Sequence, residues 1–167
     1  VNSVIGLSSG IGKAGHMDEQ DLSQDRRATL AILARGTEAE LAAPLARHWP
    51  ALAVRDLKRP EIGLVMVRGR MGGDGAAFNL GEATVTRAVV ELASGRRGHG
   101  QMLGRNPRLA RMAAIADALW QDAAERPLVE RDILAPIRAR LARASAQTRA
   151  ETAATRVDFF TLVRGEG

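Results

Sequence analysis

The chain has 167 residues, a formal net charge of +5 and a pI near 11.0, which is enough for one domain with a real core and short for two. It contains no cysteine and no tyrosine, and aromatic residues make up 3%. That excludes a disulfide framework, a thiolate metal site and a cysteine nucleophile, and it leaves no aromatic platform for stacking single-stranded bases.

The first residues, Val1 to Gly15, superficially resemble the glycine-rich turn of short-chain dehydrogenases. Their context does not. The following His16-Met17-Asp18-Glu19-Gln20-Asp21 is polar where that turn must open an apolar helix, and without tyrosine the Tyr-x-x-x-Lys pair cannot exist. Gly12-Lys13-Ala14 also misses a phosphate-binding P-loop, because Ala14 lacks the hydroxyl that would reach magnesium. Residues 1–20 are therefore expected to be a flexible extension or start-site artefact, with Met17 the candidate true start, and 21–167 a single domain.

Residues 21–36 read as a helix, with Ser23 as cap and Gly36 as stop. Thr37-x-x-Glu40 fits a capping box for a second helix carrying Leu41, Pro44, Leu45 and His48, ended by Pro50. From Ala51 the pattern changes to four Val/Ile/Thr-rich strands, about 54–57, 62–70, 82–92 and 98–103, broken at Arg59-Pro60, Gly72-Gly73-Asp74-Gly75 and Ser94-Gly95. Short links predict antiparallel neighbours. The glycine block is either a hairpin turn or a cluster of backbone N–H groups open to an anion. After Asn106-Pro107 a helical stripe runs through Leu109, Met112, Ala113, Ala116, Leu119 and Trp120, with Asp117 facing elsewhere. A last helix, about 128–152, turns Ile133, Leu134, Ile137, Leu141 and Ala144 inward and Arg138, Arg140 and Arg143 outward. The order predicts an α+β domain: N-terminal helices, a central antiparallel sheet of about four strands, two C-terminal helices and a docking tail. The tail holds Phe159 and Phe160, two of three phenylalanines, between Arg156, Asp158 and Arg164, a composition suited to anchoring in a groove.

Lys13 and Lys58 are the only lysines, so the positive charge is arginine charge. It is either spread over solvated helix faces or used for bidentate recognition of phosphate and carboxylate. His16, His48 and His99 lack metal-ligand spacing. His99, flanked by glycines, is the nearest thing to a general base and reads as incidental. No apolar run approaches the roughly 18 residues of a membrane span. Nor does a secretory leader pattern open the chain, and a cytoplasmic location is expected.

Gly63-Leu64-Val65, Arg70-Met71-Gly72-Gly73-Asp74-Gly75, Phe78-Asn79-Leu80-Gly81-Glu82-Ala83-Thr84-Val85-Thr86-Arg87-Ala88, Gly104-Arg105, Asp117-Ala118-Leu119 and Thr155-Arg156-Val157-Asp158-Phe159-Phe160-Thr161-Leu162-Val163-Arg164-Gly165 together resemble the PhnG family, a component of the core complex of the bacterial phosphonate carbon-phosphorus lyase system. The resemblance covers roughly residues 21–166. It implies a non-autonomous protein that assembles with sister subunits H, I and J. That core complex displaces adenine from ATP with a phosphonate to give a ribose 1-phosphonate 5-triphosphate. The I component is implied to be the main catalyst, and the iron-sulfur cluster and S-adenosylmethionine to belong to the J component. No cofactor is expected on this chain, with ATP the substrate of the complex.

Arg70, Gly72, Gly73, Arg87, Arg105, Arg156, Asp158, Phe159, Phe160 and Arg164 fall inside the matched blocks and are the candidate anion-binding or interface residues; no catalytic residue is expected. The arginines would either position anionic groups, or pair with Glu82, Asp117 or Asp158 and grip a neighbouring subunit. The alternative functions are a basic nucleic-acid-binding protein, whose binding would fall steeply with salt, and an independent nucleotide-dependent enzyme.

Overall fold

The computed structural model describes residues 19–71 and 75–154. Two helices, α1 (Glu19–Leu33) and α2 (Glu38–His48), precede three strands, β1 (Val54–Arg70), β2 (Ala77–Leu92) and β3 (Arg97–Leu103). Then come α3 (Pro107–Trp120), the short α4 (Arg126–Val129), a π-helical turn (Glu130–Leu134) and α5 (Ala135–Ala154). The sheet is antiparallel in the order β1-β2-β3, and the architecture is α+β.

The expected four strands are three. Arg59-Pro60 does not end a strand. Instead, β1 runs through it with register shifts between Asp56 and Lys58 and between Lys58 and Glu61. Proline has no N–H to give to a ladder and survives at an edge or a bulge; β1 is an edge strand and Pro60 falls in the irregular stretch.

Ser23 lies inside α1 rather than at its cap. The box at α2 forms as read: Thr37 N–H donates to Glu40 Oε2 at 2.9 Å, and Glu40 N–H donates to Thr37 Oγ1 at 3.4 Å. Glu40 also accepts from Arg140 at 2.8 and 3.0 Å, so the arginine expected to face outward ties α5 to α2. These bonds, those of Arg140 foremost, hold the Glu40 carboxyl below its ordinary pKa. Ala144, expected inward, is exposed, because the last three turns of α5 run past the core.

The core lies between α3 and one face of the sheet, closed by Leu33, Leu41, Val129, Ile133, Leu134 and Ile137. What brings α3 down onto β3 is the absence of side chains. A Cβ on Gly98 would collide with the Ala114 carbonyl oxygen, and one on Gly100 with that of Ala110. Ala110, Ala114 and Ala118 recur every four residues, so they line one face of α3 and let the backbones meet.

Asp117 is the correction of most consequence in the helices. Read as facing elsewhere, it is fully buried. Its carboxylate accepts from Arg26 Nε at 3.0 Å and Nη2 at 2.7 Å, and from the His99 backbone N–H at 2.8 Å. One side chain thereby pins α1, α3 and β3 together.

Candidate functional site

The candidate residues divide by position. Gly72, Gly73, Arg156, Asp158, Phe159, Phe160 and Arg164 lie outside the described residues, and with them the anion reading of the glycine block and the docking reading of the tail. Arg70, Arg87 and Arg105 lie within.

Arg70 ends β1, opposite Ala77, and is exposed. Arg87 sits mid-sheet between Glu61 on β1 and Gln101 on β3. Its guanidinium lies over Gly63, with Nη2 3.8 Å from where a Cβ would stand. Arg105 is exposed just after Gly104, whose φ of +88° makes the turn out of β3. Strand alternation puts Arg70 and Arg87 on opposite faces, and the rise per residue separates them by about 30 Å along the ribbon. No small anion can touch both.

Among the described residues none of these three has a carboxylate partner. Arginines near the other end of the sheet do: Arg97 meets Glu91 at 3.0 Å beside Arg55, and Arg96 meets Asp122 at 2.6 Å. Asp117 takes Arg26, not one of the candidates.

The surface around them is apolar. The last residue of β3, Leu103, pairs with Val85. Beyond that point residues 64–70 of β1 and 77–84 of β2 continue as a two-stranded arm. Alternation puts Leu64, Met66, Arg68 and Arg70 on one face and Val65 and Val67 on the other. A bulge opposite Val67 and Arg68 inserts Leu80 as an extra residue. Gly81, at φ +154°, takes up the distortion, and the bare Gly69 leaves room for the Leu80 side chain. Leu80 therefore joins Phe78, which is paired with Gly69, on the Val67 face. Leu64 is 58% and Leu80 62% exposed, and Met66, Val67, Met71 and Phe78 are also open to solvent. A strand is expected here, and the structure adds that apolar side chains on both its faces are open to solvent. The uninterrupted Ile-Gly-Leu-Val-Met-Val of residues 62–67 signals two apolar faces, since a strand with one solvated face would alternate with polar residues, but not that they lack cover.

Elsewhere, an open groove of about 440 Å³ between α2 and α3 is lined by Leu45, Trp49, Leu52, Met112 and Ile115. The arginines at its rim are engaged, Arg111 with Asp56 at 2.7 Å and Arg108 with Glu38 at 3.7 Å. His48 Nε2 stands 2.7 Å from Asp132. Arg131 foremost, with His48 adding to it, holds the Asp132 carboxyl down at about 2. His99 contributes its backbone to Asp117 while its residue is exposed. Among the described residues no group of His, Asp and Glu is spaced to hold a metal ion, and no helix is long and apolar enough to cross a membrane.

Residues 24–165 match the family described as "Phosphonate metabolism protein PhnG". This chain belongs to the PhnG family. It is 50% identical over 153 residues to "Alpha-D-ribose 1-methylphosphonate 5-triphosphate synthase subunit PhnG" of Rhizobium meliloti (strain 1021), a match that covers 89% of this chain and 94% of the relative. The Leu80-Gly81 of the blocks that carried the resemblance is the bulge of the arm. Gly104 is the turn before Arg105, and Asp117 is the buried anchor.

Proposed function

We propose that this chain is a non-autonomous subunit of a ribose 1-phosphonate 5-triphosphate synthase in phosphonate catabolism. In that reaction a phosphonate oxygen bonds to C1′ of ATP as the bond to adenine breaks and adenine leaves with a proton. The role argued for this chain is to assemble with companion subunits H, I and J and support the step they carry out. The supporting observation is the 50% identity to a protein that is itself a subunit of such a synthase, over 94% of that protein's length.

The surface agrees with an assembling role. Exposed apolar side chains are concentrated on one projecting part of the sheet. Charged residues that could have served chemistry in the core are instead committed to structure, as Asp117 with Arg26 shows.

The test is co-expression with the three companion subunits, purification through a tag on this chain, and mass by light scattering. A stable mixed complex is expected. Recovery of this chain alone would overturn the proposal.

A further inference from the structure

Resting on the subunit reading, we infer that the β1–β2 arm inserts into a cleft of a different protein subunit, one with two apolar walls and with carboxylates placed to meet Arg68 and Arg70.

A two-stranded ribbon alone in water is marginal, and a third strand or a packed face is normally needed. Past Leu103 the arm has neither, since β3 has ended and α3 packs chiefly on β2 and β3. By the strand rise it projects about 20 Å. It nonetheless carries exposed apolar side chains on both faces, Leu64 and Met66 on one side among Thr84, Glu82 and Asn79, and Val67, Phe78 and Leu80 beside the half-buried Val65 on the other. Exposed apolar surface concentrated in this way marks an interaction site.

Two bare faces decide the geometry. A partner surface met flat, or a second copy stacked about a two-fold axis, would cover one face of each ribbon and leave the other in water. Only a cleft covers both.

Charge decides the chemistry. Arg68 and Arg70 follow Leu64 and Met66 on the same face, and among the described residues neither meets a carboxylate, although Glu82 stands opposite Met66 on that face. At the wide end of the same sheet Glu91 and Asp122 are supplied from within the chain. A guanidinium desolvated at an interface needs a planar acceptor, so the complementary wall carries Asp or Glu near its rim.

The experiment compares the full chain with Leu64→Gln, Leu80→Gln and the pair Arg68→Glu with Arg70→Glu, each co-expressed with the companion subunits. Recovery of mixed complex and affinity are measured, and the melting temperature of each free chain is taken as a control. All these side chains are exposed, so melting temperatures stay at the wild-type value, while each variant weakens association by about tenfold or more. The charge pair contributes nothing to the core, so its loss of binding cannot be ascribed to misfolding. Normal association of both Gln variants overturns the inference and leaves the subunit reading standing. Sensitivity at Leu64 but not Leu80 overturns the cleft in favour of flat docking. A dimer of the free chain that the same substitutions dissolve shows a second copy as occupant and overturns the partner assignment. Failure of the wild-type chain to associate is the distinct outcome that removes the subunit reading itself.

Discussion

At the scale of the residue, Asp117 shows how a polar group becomes part of a core. A buried carboxylate is tolerable only when its lone pairs are taken, and here Arg26 and the His99 N–H take them. Through this bond Asp117, foremost, raises the Arg26 pKa against the opposing cost of its burial. Removing the acid strands a partly buried cation and an unpaired N–H. Asp117→Ala should therefore cost about 3 to 5 kcal/mol, the range for breaking a buried pair from one side. Urea unfolding of the free chain checks this, and a loss below about 1 kcal/mol, the scale of an exposed ion pair, would contradict it. Nothing in the sequence could have shown the pairing. Arg26 and Asp117 are far apart along the chain, and Asp117 lies among apolar residues of α3 where a helical stripe reads as two-sided only once its neighbours are known.

At the scale of the element, the packing of α3 on β3 depends on two glycines. Gly98 and Gly100 turn toward backbone carbonyls of α3 and have no room for a methyl group. Gly100→Ala forces the helix off the sheet and should destabilise by about 1 to 3 kcal/mol or more, the cost of overpacking. Thermal unfolding reads it, and an unchanged melting temperature would show that the close approach is not required. The alternation of Gly98, Gly100 and Met102 was legible as a strand, while the reason for its glycines lies in the partner helix. Local signals performed best where physics is local. The capping box at Thr37 and Glu40 forms. They misled where tertiary contact decides: Arg59-Pro60 reads as a break, yet β2 holds β1 in place on either side of it.

At the scale of the molecule, the sequence carried the α+β order and the family, because both rest on long-range pattern. It could not show the arm as a surface. Residues 62–67 look like an ordinary buried strand until the sheet is assembled and β3 is found to end at Leu103, leaving the run without cover. The arginine candidates were found by their blocks, but the sheet separates Arg70 from Arg87 by faces and by distance, which favours contact with an extended partner over capture of one small anion. On the proposed subunit role, this chain supports a reaction carried out by its companions. Adenine release from ATP plus methylphosphonate by the companion subunits, measured as this chain is added, tests that role. No release is expected from this chain alone, and release by the companions should rise with added chain and saturate at a fixed ratio. Turnover by the isolated chain, or a rate among the companions that ignores it, would rule the role out.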